Sequence, residues 1–211
     1  RLNGVPATDA EQAITSELTG DEGDDEIAAD RETPALADAG EESVLRGLMA
    51  KAQSLYGPQN DPKLKALIAG LKPLIQDGFS PIVFCQFIST ANYVGQYLRK
   101  AFKTYHVQVV TGNLAPSERE EAVAALTADP RRILVATNCL SEGINLQKGF
   151  NAVVHYDLAW NPSRHEQREG RVDRYGQTSP TVKCLMLYGL DNPVDGFILK
   201  VILRKAKAIQ D

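Results

Sequence analysis

Gln167, Arg171 and Arg174 have the types and spacing to act on a phosphate. They stand four and three residues apart, so on one helix they share a face, and Arg164 extends that stripe by a turn. An arginine presents a planar fork of N–H donors and stays charged at physiological pH. Two of them a turn apart, with an amide behind them, offer a rigid array of donors to an anion such as a polyphosphate. The competing reading is a solvated basic face paired with Glu166, Glu169 and Asp173. Tyr175-Gly176-Gln177 follows directly, a tight exit that would fix the orientation of the helix end.

These side chains need a frame. Short β-rich runs occur at Ile82–Cys85, Val107–Val110, Ile133–Thr137, Ala152–Tyr156 and Val182–Tyr188. Between most of them lie helical patterns, over Thr90–Phe102, Ser117–Leu126, Pro162–Arg174 and Val194–Ile209. Upstream, Leu45, Leu48, Met49, Ala52 and Leu55 recur at helical spacing over Ser43–Tyr56. Asp61-Pro62 then supplies an N-cap and first residue for a helix carrying Leu64, Leu67, Ile68 and Leu71, which Pro73 is expected to kink or end. Strands that alternate with helices and are apolar on both faces predict an α/β fold, a parallel sheet flanked by helices on both sides.

In such sheets ligands gather at the carboxyl ends of the strands, and there the sequence turns polar. Gln86-Phe87 follows the first strand and Thr111-Gly112 the second. Thr137 and then Ser141-Glu142-Gly143-Ile144-Asn145-Leu146 follow the third; Asp157 and Trp160-Asn161-Pro162 follow the fourth. Hydroxyls and loop N–H groups are the usual sequence-blind ligands of a nucleic-acid backbone, and Gly143 would let the chain approach a nucleotide without a Cβ in the way. Each has a plainer alternative. Thr137 caps a turn, Thr111-Gly112 is only a loop, Phe87 packs, and Trp160 with Pro162 packs and starts a helix.

Composition sharpens the picture. The chain has 211 residues, 43% of them hydrophobic and 24% charged, with a net charge of -4. That average joins unlike parts, because residues 1–42 hold 13 acidic and 2 basic groups, whereas residues 43–211 carry a net +7. The first part lacks the apolar surface to offset about 1–2 kcal/mol of backbone entropy per residue and is expected to be a disordered leader or interlobe linker. Either it is a solvated tail, or it mimics a polyanion and competes for the basic domain behind it. No run approaches the roughly 18 apolar residues of a membrane span, and no signal peptide opens the chain. Cys85, Cys139 and Cys184 form an odd, widely spaced set that argues against disulfides and zinc, as three small residues in or beside strands. The chain reads as cytosolic.

Leu134-Val135-Ala136-Thr137, Ser141 to Leu146, Tyr156-Asp157-Leu158-Ala159-Trp160-Asn161-Pro162 and Gln167-Arg168-Glu169-Gly170-Arg171-Val172-Asp173-Arg174-Tyr175-Gly176-Gln177 together resemble the second RecA-like lobe of superfamily two helicases of the Swi/Snf type. The resemblance runs from about Lys63 to Leu190. Its wording around Gln167 to Arg174 is closest to the bacterial branch that includes the RNA-polymerase-associated ATPase, with Tyr175 a departure where an aliphatic residue is frequent. The resemblance implies that Arg171 and Arg174 reach ATP held by the other lobe, that Gln167 orients them, and that Glu142, Gly143 and Asn145 lie near the ribose. It also implies that Gln86, Thr111, Gly112 and Thr137 touch the nucleic-acid backbone, with Arg119 matching the stretch after the second strand. A supplied arginine finger is worth about 10³–10⁵ in phosphoryl-transfer rate.

The sequence holds no GxxxxGK[ST] loop and no DExx strand end for magnesium. The expectation is therefore a C-terminal motor lobe of an ATP-dependent DNA translocase, excised from a longer protein. ATP and Mg²⁺ would be bound mainly by a missing N-terminal lobe in cis. The expected partners are double-stranded DNA and a DNA-bound protein complex, the expected state a monomer, and the expected location the bacterial cytoplasm at the nucleoid. The isolated chain would hydrolyse no ATP and bind DNA weakly and salt-sensitively. A stand-alone nucleic-acid-binding module is the alternative; an interaction scaffold is a third reading that the arginine stripe disfavours.

Overall fold

Residues 82–85 are apolar without alternation, and the sheet shows why. In the computed structural model, which describes residues 39–140, 144–159, 162–189, 195–201 and 204, strand β1 (Pro81–Phe84) is the middle of five. With β2 (His106–Val110), β3 (Arg132–Ala136), β4 (Ala152–His155) and β5 (Lys183–Met186) it forms one parallel sheet in the order β2-β3-β1-β4-β5. Both faces are covered. Val83, Val135 and Val154 point to one core with Leu64, Leu67, Leu71, Val94 and Leu98, while Ile82, Phe84, Leu134 and Val153 point to a second with Val123, Leu126 and Phe150. Period-2 alternation thus feeds two apolar layers, which is the RecA-like α/β arrangement.

The helices form where the sequence places them, with shifts at their ends. They are α1 (Ala39–Ser54), α2 (Pro62–Gln76), α3 (Ile88–Ala101), α4 (Pro116–Thr127) and α5 (Pro162–Gly170), and residues 195–201 are helical too. Asp61 caps α2 through its carboxylate, which accepts from Lys63 N at 2.9 Å and Leu64 N at 3.0 Å. Pro73 does not end that helix. It removes one ladder bond, but Leu71 on one side and Leu74 and Ile75 on the other stay packed on the core, and burial outweighs the lost bond. On α3, Gly95 lets the helix lie against β2, since a Cβ there would sit 2.2 Å from Val109 Cγ2.

Helix α1 begins at Ala39, inside the segment expected to be unstructured; residues 1–38 lie outside the described residues. Its apolar positions follow the expected helical spacing, yet Leu45, Leu48 and Met49 are exposed. Cys85 is buried as expected and Cys139 half-buried, but Cys184 is exposed, because it lies on edge strand β5. Among the described residues no helix is long and apolar enough to cross a membrane.

Candidate nucleotide and nucleic-acid site

Because all strands run the same way, their carboxyl ends form one edge, where Thr111, Thr137, Gln86 and Asp157 follow β2, β3, β1 and β4 in that spatial order. The structure brings together the polar positions picked from sequence. Their side chains are not equally available. Gln86 is half-buried, and its N–H donates to Asp157 Oδ2 at 3.0 Å. Thr111 is buried, while Gly112 beside it is half-buried. Thr137 is fully buried, and its hydroxyl donates to Cys139 Sγ at 3.4 Å, a turn-ordering contact.

Arg119 on α4 orders the neighbouring loop. Its guanidinium donates to the carbonyls of Leu114 (2.8 Å), Gly112 (3.0 Å) and Cys139 (3.5 Å), tying the loop after β2 to the turn Asn138–Leu140 after β3. Asn145 is exposed. Glu142 and Gly143, like Ser141, Trp160 and Asn161, lie outside the described residues.

The arginine stripe requires a correction. Helix α5 stops at Gly170, so Gln167, Arg171 and Arg174 do not form a single helical row. The cause is local. Gly170 is a poor helix residue and β-branched Val172 another, and Val172 is drawn into the second core at 0% exposure. The backbone tightens to Arg171 N→Arg168 O (3.3 Å) and Val172 N→Glu169 O (2.9 Å), then turns at Gly176 with φ 93°. Gln177 clamps this exit: its Nε2 donates to Phe150 O at 3.0 Å and Val172 O at 2.9 Å. Gln167 and Arg174 are exposed and Arg171 is half-buried; among the described residues the side chains of all three make no hydrogen bond or ion pair. Glu169, one of the carboxylates expected to neutralise the stripe, turns the other way.

It joins a polar chain that sequence reasoning missed, buried at its two histidines and reaching the surface at Cys184. Ala159 N lies 3.1 Å from His165 Nε2, His165 Nδ1 3.2 Å from His155 Nδ1, and His155 Nε2 3.0 Å from Glu169 Oε1, which Cys184 Sγ also approaches at 3.2 Å. Arg168 Nη1, which can only donate, is 3.4 Å from His155 Nδ1. That nitrogen is therefore the acceptor, and His155 carries its proton on Nε2 and donates it to Glu169. His165 in turn donates from Nδ1 and accepts the Ala159 N–H. Charge states agree with this assignment. Burial, with the nearby positive groups, holds both histidines below their usual range, His165 at about 4. Burial alone would push Glu169 up, but hydrogen bonds from His155 and Cys184 bring it below the usual carboxylate range. The Cys184 thiol, turned inward against Glu169 although the residue as a whole is exposed, is pushed up, by burial and then by the Glu169 charge. The donor atoms of His155, Glu169 and Cys184 lie within 4.8 Å of one another, but protons occupy two of those positions, so the cluster is a hydrogen-bonded chain rather than an open metal centre.

Arg168 is the other omission. It is 1% exposed, beneath helix α5, with its guanidinium 5.3 Å from the Phe84 ring centre. The available signal was its period: His165, Arg168 and Val172 recur at helical spacing and are all buried.

Residues 62–176 match the helicase conserved C-terminal domain. The chain belongs to this family. It is a helicase C-terminal domain, with the strand-end loops at the edge where such a fold carries its ligands. Over 101 residues it is 34% identical to the ATP-dependent RNA helicase dbp8 of Aspergillus clavatus, covering 48% of this chain and 19% of that protein. The chain thus spans about a fifth of the length of that relative. Among solved structures, the C-terminal part of the Fun30 ATPase domain superposes with a TM-score of 0.59 at 22% identity, over 66% of this chain and 44% of that one. The C-terminal domain of the Sulfolobus solfataricus SWI2/SNF2 ATPase gives a TM-score of 0.54 at 16% identity, over 92% and 78%. At these identities the likeness establishes the RecA-like fold of the helicase lobe.

Proposed function

We infer that this helicase lobe is the C-terminal half of a Swi/Snf-type, ATP-dependent DNA translocase, of the bacterial branch that its arginine block resembles. The observation that carries the reading is the pair Arg171 and Arg174. They follow the end of α5 on a backbone clamped by Gln177 and Val172, with no hydrogen bond or ion pair for either guanidinium among the described residues. Buried anchors with free cationic ends suit a target that arrives from outside, and phosphate oxygens match the fork geometry. Among the described residues no carboxylate pairs with either guanidinium, which leaves both forks open to the phosphates of ATP. Mg²⁺ and most contacts to ATP belong, in this reading, to the N-terminal lobe.

The division of labour is then physical. Phosphoryl transfer needs mainly positioning and neutralisation of developing charge, and the two guanidiniums supply that when the lobes close. The Gln86 side chain, Gly112 and the loop held by Arg119 lie at the strand ends, where a phosphate chain would be gripped, so closure moves the grip on nucleic acid. A stand-alone nucleic-acid-binding module is the alternative, and it leaves the clamped arginines without a task. The full-length protein should hydrolyse ATP faster with double-stranded DNA than with none or with single-stranded RNA. Stimulation by RNA alone would overturn the DNA assignment. Tight DNA binding by this chain alone at physiological salt would favour the module.

A further inference from the structure

The blocks at the sheet edge are joined by a continuous set of polar bonds, part-buried at Lys63 and Asp157 and centred on the fully buried Arg168. Asp157 accepts the Gln86 N–H through Oδ2 at 3.0 Å and pairs through Oδ1 with Lys63 Nζ at 2.5 Å, which ties the turn after β1 and the start of α2 to the end of β4. The Asp157 carbonyl accepts from Arg168 Nη1 at 3.3 Å. Arg168 then turns its other two nitrogens on a single atom, with Nε 3.0 Å and Nη2 2.5 Å from Asn138 Oδ1. Asn138 follows Thr137 directly and opens the turn that leads towards Asn145. Two residues beyond Arg168, helix α5 ends and the chain passes into Arg171 and Arg174.

The chemistry of the join explains why an arginine is needed there. A guanidinium is a flat fork that can serve two directions at once, whereas an ammonium of similar reach is a point donor. Buried at 1% exposure, it holds its geometry firmly, because any acceptor it loses leaves a desolvated charge uncompensated. The His165–His155–Glu169 chain braces the same helix and meets Arg168 at His155 Nδ1, 3.4 Å from Nη1.

We propose that Arg168, held between Asn138 and the Asp157 carbonyl, is a positioning residue that fixes the segment carrying Arg171 and Arg174 in register with the turn after β3. Nucleic acid held at the strand ends and ATP held opposite the arginines are then sensed by one rigid unit. Cutting this join should uncouple DNA from hydrolysis more than it weakens the binding of either. This rests on the motor-lobe reading above.

The test uses the full-length protein as wild type, Asn138→Ala, Asn138→Asp, Arg168→Lys and the Asn138→Ala/Arg168→Lys double variant. Turnover and KM for ATP are measured with and without duplex DNA, beside thermal melts and amide hydrogen exchange. Asn138→Ala and Arg168→Lys should each lower DNA-stimulated kcat by about tenfold or more with little change in KM, as loss of a positioning contact does. Asn138→Asp, which keeps the acceptor oxygen, should stay within about threefold of wild type, and the double variant should be no worse than Arg168→Lys, since both changes cut one link. The amides of Arg171, Val172, Asp173 and Gln177 should exchange faster in Asn138→Ala while those of β1 and β3 do not. Effects that multiply, an Asn138→Asp as impaired as Asn138→Ala, or wild-type kcat in a folded Asn138→Ala would overturn the proposal. A wild-type protein without ATPase activity would instead refute the motor reading, and the exchange data would then decide: unchanged protection of those four amides in both single variants would refute the positioning role.

Discussion

Acid should loosen this lobe at one identifiable place. His165 is 2% exposed, accepts the Ala159 N–H and faces His155 and the Arg168 guanidinium, so a proton on it is disfavoured and its pKa falls from 6.5 to about 4. In the unfolded chain the imidazole protonates near its ordinary value. Between those two values the unfolded state binds more protons, so stability is fully present above pH 6.5 and is lost as pH falls towards 4. Each pH unit travelled below the ordinary value costs about 1.36 kcal/mol, so His165 alone accounts for a loss of roughly 2 kcal/mol from pH 7 to pH 5. His155 is held down by burial and adds in the same direction, as does Glu169, whose folded pKa lies below its ordinary value. Urea unfolding at pH 7.5, 6 and 5 measures the slope. His165→Asn keeps a polar group but removes the titration; it should be less stable at neutral pH and show a pH dependence smaller by about that amount. Parallel slopes in the two proteins, or stability flat from pH 7 to pH 5 in the wild type, would refute the reasoning.

Two further outcomes test the fold. Gly95→Ala should cost about 1–3 kcal/mol by urea unfolding, because the new methyl meets Val109 Cγ2 at 2.2 Å, and Val109→Ala in the same chain should restore part of that loss. Asp61→Ala removes the cap of α2 at a cost of about 1 kcal/mol. It also removes the carboxylate 3.0 Å from Tyr93 Oη, and with it part of the rise that brings Tyr93 to about 12, the larger share of which comes from burial. Ultraviolet titration should find that phenol ionising at lower pH in Asp61→Ala; an unmoved titration would contradict the contact.

Sequence reading was strongest where apolar pattern and turn chemistry act locally. The five strands appear within a residue or two of their expected bounds; in β1, β3 and β4 residues buried on both faces leave little freedom of period, and Asp61-Pro62 starts α2 as its types require. The polar residues after each strand fall on one edge because parallel strands put them there. Two things were not legible. Helical spacing over Pro162–Arg174 suggested a continuous stripe, but Gly170 and the pull of Val172 into the core end the helix first, a tertiary effect that a charge pattern does not encode. Arg168 and Glu169 look like ordinary surface charges; only folding places Asn138, His155 and Cys184 around them. The helical spacing of Leu45, Leu48 and Met49 gives α1 its helix but not a partner, for all three stay exposed.

The central claim is that Arg171 and Arg174 act on ATP rather than hold nucleic acid. Steady-state ATP hydrolysis and equilibrium duplex-DNA binding by full-length Arg171→Ala and Arg174→Ala test it together. Each substitution should lower turnover by about 10³-fold or more while the DNA dissociation constant stays close to that of the wild type. Turnover retained with DNA affinity lost would contradict it.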